Sequence, residues 1–303
     1  MKKMLFVYNP NAGRGEIKDH LSEIVEMFCR KDYSVTVFAT SRSGDARNCV
    51  TQNGAGYDII VCCGGDGTLN EVTDGLMTLE KRPPCGFIPA GTTNDFAHSF
   101  MLPDDMVEAA EVVCEGKAFS YDVGDMNGDY FDYIAGFGAF TEVSYATNRM
   151  AKTILGKLAY FLGGVKRISS VRTYDVVITI GDEVIEEKVI YGMVTNSFSV
   201  AGFLSLYKEE AKLDDGLFEV LFVRAPKNLI ELKTIISALL SGDISCKHFI
   251  YRQISEIRVR CDEPLSWTVD GEYGGTFFEA DIKNHCKAIQ FIRRETDGNI
   301  DIS

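Results

Sequence analysis

The sequence predicts an α/β domain on a parallel sheet, followed by a mostly antiparallel β domain. From Lys3 to Cys114, short apolar runs alternate with helical patterns, which is how a parallel sheet covered on both faces reads. After about Phe119 the texture shifts to alternating strands separated by tight turns. Segments rich in Gly, Asn or Thr follow the N-terminal strands, so these loops are expected to meet at the carboxyl edge of the sheet, where such folds bind ligands.

In order, Lys3–Tyr8 reads as a strand, Glu16–Lys31 as a helix and Ser34–Ala39 as a strand. Gly44–Asn53 is a helix, Asp58–Cys63 a strand and Thr68–Leu79 a helix. Cys85–Ile88 is a short strand, Asp95–Phe100 a helical turn and Asp104–Cys114 a helix. The most informative junction is the third. The apolar run Ile59–Cys63 stops at Gly64-Gly65-Asp66-Gly67, and helix signals begin at Thr68. Glycines let the backbone approach a ligand, and a strand-to-helix junction aims free N–H groups and the positive helix end at a phosphate. Asp66 would repel that anion unless a divalent cation sits between them. The plainer alternative is a connecting turn.

In the second half, Val123–Ala135 reads as a hairpin turning at Asn127-Gly128-Asp129. Thr173–Ile180, Val184–Thr195, Leu217–Val223, Gln253–Cys261, Leu265–Val269, Thr276–Ile282 and Ala288–Phe291 are further strands. Arg149–Ser169 and Asn228–Leu240 are helices, and the polar tail Thr296–Ser303 is expected to fray. The division falls at 1–120, completed by 286–303, and 121–285.

Of the 303 residues, 46% are hydrophobic and 25% charged, the balance of a globular protein with an ample core. The apolar run after Met1 is too short for a signal peptide, and no stretch reaches the length of a transmembrane helix. Nine scattered cysteines without Cys-x-x-Cys spacing read as reduced thiols in a cytoplasmic protein. A net charge of −13 argues against a nucleic-acid partner. Yet Val143–Tyr174 holds six cations (Arg149, Lys152, Lys157, Lys166, Arg167 and Arg172) and no acid. Its Met150–Leu162 portion mixes basic and bulky apolar residues at helical spacing. That suits transient attachment to an anionic membrane surface, at about 1 kcal/mol per cation, or a core-packed helix with a solvated basic face.

Four motifs occur in order: Asn9-Pro10-x-x-Gly13, Gly64-Gly65-Asp66-Gly67-Thr68, Pro89-x-Gly91-Thr92-x-Asn94-Asp95 and Asp270-Gly271-Glu272. Together they resemble the diacylglycerol kinase catalytic family, above all its small soluble bacterial lipid kinases, over nearly the whole chain. The resemblance implies an N-terminal Rossmann-like domain of the NAD kinase/diacylglycerol kinase type, three-layered and binding ATP and Mg²⁺, with a C-terminal β-sandwich for the lipid. It implies transfer of the γ-phosphoryl group of ATP to a lipid hydroxyl, most simply that of diacylglycerol.

By that resemblance Glu272 is the general base, and Asp66, Asp95 and Asp270 are the acidic lining that organises Mg²⁺. Asn9, Pro10, Asn11, Ala12, Gly13, Thr40, Gly64, Gly65, Asp66, Gly67, Thr68, Leu69, Asn70 and Thr92 line the nucleotide. Ala12 stands where the family often has Ser, at the loss of one hydroxyl. Lys212, Asp215 and Leu217 resemble a structural Mg²⁺ loop. Read without the resemblance, Asp214-Asp215-Gly216 is a β-turn, Asp270-Gly271-Glu272 a solvated turn, and Asp95 or Asn94 a helix N-cap. An NAD kinase and a kinase for phosphatidylglycerol, a sphingoid base or a polyprenol remain as alternatives. A lipid substrate implies peripheral association with the membrane, and free strand edges suit a homodimer.

Overall fold

A computed structural model describes residues 1–92, 94, 96–97, 100–138, 154–165, 167–196 and 212–295. Cα packing divides the chain into two units, Met1–Tyr121 with Lys287–Ser303, and Asp122–Cys286. The expected helical turn at Asp95–Phe100 is described only in part, and the tail at Thr296–Ser303 lies outside the described residues.

In the first unit the apolar runs become β1 (Lys2–Tyr8), β2 (Tyr33–Ala39), β3 (Ile59–Gly64) and β4 (Cys85–Pro89). They pair in parallel in the order β2-β1-β3-β4. The end of β13 (Glu272–Arg293) adds a fifth parallel strand beside β4, with Phe291 opposite Cys85. Every residue of β3 and β4 is buried, so each reads as an unbroken apolar run. The edge strand β2 is half exposed and alternates instead.

Helices α1 (Ile17–Arg30) and α4 (Met106–Glu115) pack on one face, where Ile17, Ile24, Phe28, Ala109 and Val113 join Phe6, Val61 and Ile88. Asp105 caps α4, its Oδ1 accepting the N–H groups of Val107 and Glu108. Ile60, of opposite parity, faces the side occupied by α2 (Asp45–Asn53), near Val50. There α2 crosses α3 (Asp66–Met77) so closely that a Cβ on Gly75 would lie 2.6 Å from Val50 Cβ. Helices thus cover both faces, as the alternation predicts. The chain steps one way from β1 to β2 and the other way from β3 to β4. Strand order therefore reverses between β1 and β3, the place where a ligand crevice forms.

The second unit is antiparallel. Strands β9 (Glu183–Thr195) and β12 (Glu256–Val269) each pair with both β7 (Ile134–Gly138) and β8 (Tyr174–Ile180). Two layers therefore fold over Phe137, Val176, Val194, Phe222, Val259 and Trp267. β10 (Phe218–Arg224) and β11 (Phe249–Ile254) extend the sheet beside β9. Helices α5 (Ile154–Gly163) and α6 (Leu229–Ser241) pack together on a second core, which includes Ile134, Tyr191, Leu221 and Val223.

Several boundaries differ from the sequence reading. The hairpin of β5 (Lys117–Met126) and β6 (Asp129–Phe131) turns at Asn127 and Gly128, φ 55° and 94°, but it ends at Phe131. Asp132 and Tyr133 give their N–H groups to the Asp270 carboxylate instead of to a ladder. The two strands expected within 253–269 are one, β12, with a register shift between Arg260 and Leu265. Those at Thr276–Ile282 and Ala288–Phe291 are likewise one, β13. Separate β11 was hidden because no Gly, Pro or Asn stands between Ile254 and Glu256. The described part of the basic helix stops at Gly163-Gly164 rather than Ser169. Five of the nine free cysteines are buried, and burial pushes the Cys63 thiol up to about 12.

Candidate functional site

The loops after β1, β3 and β4 meet in the first unit. Asn9 donates its backbone N–H to Cys63 O, and its Nδ2 donates to Thr68 Oγ1 at 3.4 Å. Its Oδ1 accepts the Asn11 N–H, closing the Pro10 turn. At Gly13, with φ +54°, an added Cβ would lie 2.4 Å from Ala90 O. At Gly91 it would lie 2.6 Å from Gly65 Cα. Three backbones therefore touch where no side chain fits, and the cradle depends on those glycines. Thr40 is buried beside them, its N–H on Tyr8 O, while Thr92 is exposed.

Gly65 is the N-cap of α3, so the helix starts at Asp66 rather than Thr68. Asp66 and Gly67 thus lie in the first turn, where helix N–H groups lack intrahelical acceptors. Gly64 supplies room for the Thr68 side chain, since a Cβ there would sit 2.5 Å from it. Leu69 and Ala12 are different. Leu69 is 1% exposed and its N–H is spent on Gly65 O, and Ala12 is buried among Met4, Phe6 and Ile17. Neither side chain lines the cradle, and a Ser at position 12 would bury its hydroxyl in that core. Asn70, on the half-buried side of α3, follows Leu69.

Asn94, with φ 51°, clasps the fourth loop. Its Oδ1 accepts the Gly91 N–H at 2.9 Å, and its Nδ2 donates to Gly91 O at 3.1 Å. Asp66 Oδ1 accepts the N–H of Phe96, whose ring packs on Phe87, Phe100, Tyr121 and Phe291. An aromatic cluster therefore holds the donor that orients Asp66. Asp95 lies outside the described residues. A Gly13→Ala substitution is expected to lower the melting temperature and to weaken binding of a nonhydrolysable ATP analogue in a titration. The strain of a Cβ at positive φ is on the order of 1–3 kcal/mol.

In the second unit, Asp270-Gly271 is the two-residue tip of the β12–β13 hairpin, with φ 47° and 84°. The Asp270 carboxylate accepts three backbone N–H groups: Asp132 at 2.6 Å on Oδ2, and Tyr133 and Ile134 at 3.0 Å on Oδ1. Both oxygens are committed, so Asp270 has little capacity left for a metal. Its firm role is to lock the tip, which leaves Glu272 exposed beside it.

The Lys212–Leu217 loop is also held together. Asp215 Oδ1 accepts the Leu217 N–H at 3.0 Å, and Asp122 Oδ2 accepts the Gly216 N–H at 2.6 Å. Asp122, fully buried, also donates its N–H to Leu213 O. The sequence reading missed Asp122, although a carboxylate inside the apolar run Tyr121–Val123 was a signal. Exposed Asp215 with the carbonyls of Lys212 and Leu217 makes an all-oxygen donor set, which fits a sparse Mg²⁺ site. Among the described residues no three His, Cys, Asp or Glu side chains cluster to hold a metal.

Nearby, burial pushes the Glu219 carboxyl up to about 7, helped by the charge of Asp215 and opposed by the hydrogen bond from Gln253. A folded carboxyl that holds its proton longer than the unfolded one loses stability as pH rises from the unfolded value to about 7. In metal-free buffer, Glu219→Gln is therefore expected to raise the melting temperature at pH 8 relative to the parent and to leave it near the parent at pH 4. A parallel pair of melting curves checks this.

Residues 3–126 match the family described as the diacylglycerol kinase catalytic domain. Residues 134–289 match that described as the YegS C-terminal NAD kinase beta sandwich-like domain. A diacylglycerol kinase of Bacillus subtilis (strain 168) is 37% identical over 278 residues, 91% of each chain. One of Staphylococcus carnosus (strain TM300) is 34% identical over 279 residues, 90% of each. A crystal structure of a diacylglycerol kinase from Bacillus anthracis str. Sterne matches with TM-score 0.75 at 25% identity, covering 97% of both chains.

Proposed function

The chain belongs to the diacylglycerol kinase family and is an ATP-dependent lipid kinase; we propose that its acceptor is diacylglycerol, its product phosphatidic acid and its general base Glu272. The observation that supports a phosphoryl-transfer site is the junction of the β1, β3 and β4 loops at the point where strand order reverses. There, bare glycine backbone and the first turn of α3 face the position a polyphosphate would take. The names of the relatives support the acceptor.

In this reading the loops Asn9–Gly13 and Gly64–Thr68 hold the nucleotide. Glu272 takes the proton of the acceptor hydroxyl as its oxygen bonds to the γ phosphorus and the bridging P–O bond to ADP breaks. An exposed carboxylate on a locked hairpin tip suits a base that must meet a bulky substrate. Mg²⁺, which neutralises charge on the transferring phosphoryl group, would be held by Asp66 together with Asp95, and a second ion by Asp215 and the carbonyls of Lys212 and Leu217. Asp270 serves the site by holding Glu272.

An acceptor that resides in a bilayer would place the reaction at a membrane surface. Of the six cations in the basic segment, Arg149, Lys152 and Lys166 lie outside the described residues, as does the Lys157 side chain. No helix among the described residues is long and apolar enough to span one. A panel of dispersed diacylglycerol, phosphatidylglycerol, sphingosine and a polyprenol tests the acceptor. Diacylglycerol is expected to give the highest kcat/KM, and a higher value for another lipid would reassign it.

A further inference from the structure

Glu71 lies one helical turn beyond Gly67 and Thr68 on α3, on the same side of the helix. Its carboxylate is engaged by the segment that follows β2. Oε1 accepts the Gly44 N–H at 2.7 Å and the Ser43 hydroxyl at 3.1 Å, and Oε2 accepts the Ala46 N–H at 3.1 Å. Helix α2 has no side-chain cap of its own, because its N-cap is Gly44, with φ 84°. A residue of α3 therefore supplies acceptors that the first N–H groups of α2 lack.

The first residue of α2 acts differently. Asp45 turns back on the segment, its Oδ2 accepting the Ser41 N–H at 2.9 Å, the Ser41 hydroxyl at 2.7 Å and the Arg42 N–H at 3.1 Å. These bonds, that of the Ser41 hydroxyl foremost, hold its carboxyl down to about 2. Two carboxylates thus fix Ser41–Ala46, one from within and one from α3. The docking of α2 on α3 has other supports. Ala46, Cys49 and Val50 are buried, Val50 packs where Gly75 leaves room, and Arg47 meets Asp74 at 3.7 Å. What the Glu71 bonds add is the placement of the end of β2 relative to the first turns of α3.

Thr40 stands at that end, buried at the carboxyl edge of the sheet. Strand β2 lies on the far side of β1 from β3. With phosphates at the β1–β3 crevice, the end of β2 is where the ribose of a nucleotide lies in doubly wound sheets. The Ser41 and Ser43 hydroxyls are engaged by Asp45 and Glu71, so of the hydroxyls in Thr40–Ser43 that of Thr40 is the one left for a ribose.

We propose that Glu71 is a positioning residue for the nucleotide: by holding Ser43, Gly44 and Ala46 it sets Thr40 against the nucleoside half of ATP, while the glycine cradle holds the phosphates. This rests on the reading that the cradle binds ATP, and the test separates the two.

Titrations with a nonhydrolysable ATP analogue and with inorganic tripolyphosphate test it. Glu71→Gln keeps the size but turns an amide toward a backbone donor. It is expected to bind the analogue about tenfold more weakly and tripolyphosphate as the parent does. In lipid phosphorylation the KM for ATP should rise by the same factor while kcat stays within about twofold of the parent's. A general loss of structure would not give that split. Asp45→Asn loosens the same segment without touching α3 and should give the same pattern, so it decides the matter if Glu71→Gln does not fold. Thr40→Val should also weaken the analogue, and adding Glu71→Gln to it should weaken binding little further. Unchanged analogue affinity in Glu71→Gln and Asp45→Asn overturns the proposal, as does equal weakening of tripolyphosphate or full additivity with Thr40→Val. A parent that binds neither ligand would overturn the ATP reading itself, and the proposal with it.

Discussion

Glu272→Gln is expected to lower kcat for lipid phosphorylation by about 10²–10⁴-fold while a nonhydrolysable ATP analogue binds as before. The amide keeps the size and the hairpin position but cannot accept the hydroxyl proton. Because Glu272 is exposed and lies one residue past a tip fixed by other groups, the substitution removes no packing. Stability should therefore remain at the parent's value, which separates a chemical effect from an unfolding one. An unchanged kcat would remove Glu272 from the mechanism, and lost analogue binding would make it a nucleotide ligand instead.

Asp270→Ala is expected to behave in the opposite way, with stability falling first. It leaves the N–H groups of Asp132, Tyr133 and Ile134 without their carboxylate, in a part of the second unit where Asp132, Tyr133 and Ile134 are themselves buried. Each orphaned buried donor costs about 1–3 kcal/mol, so a loss of several kcal/mol is expected in urea unfolding. Asp270→Asn should fall between, since its remaining oxygen can still accept from Tyr133 and Ile134 while its amide faces the Asp132 donor. A variant as stable as the parent but with a raised Mg²⁺ requirement would return Asp270 to the metal-organising role that the family resemblance implies.

These two neighbours on one hairpin show what the sequence could and could not disclose. The strands β1, β3 and β4 were legible because burial on both faces makes each a continuous apolar run ended by Gly, Asn or Pro. The cradle loops were legible for the same local reason, since close backbone approach demands glycine at Gly13 and Gly91. What stayed hidden depends on partners far along the chain. That Asp270 spends its carboxylate on residues 132–134, that Asp122 anchors Gly216, and that Phe96 presents its N–H to Asp66 are contacts between segments no pattern links. Ala12 and Leu69 belong to motif loops, yet their side chains belong to the core, because a motif names positions and not the direction in which a side chain points. The break after Phe131 and the fusion of four expected strands into β12 and β13 follow from the same long-range bonding.

The activity on which every assignment above depends is phosphoryl transfer from ATP to a lipid alcohol. Incubating the purified chain with γ-labelled ATP, Mg²⁺, dispersed diacylglycerol and NAD together, then separating organic from aqueous phases, measures it directly. Label is predicted in the organic phase, migrating as phosphatidic acid. Label recovered on NAD, with none on lipid, would make the protein a nucleotide kinase and not a lipid kinase.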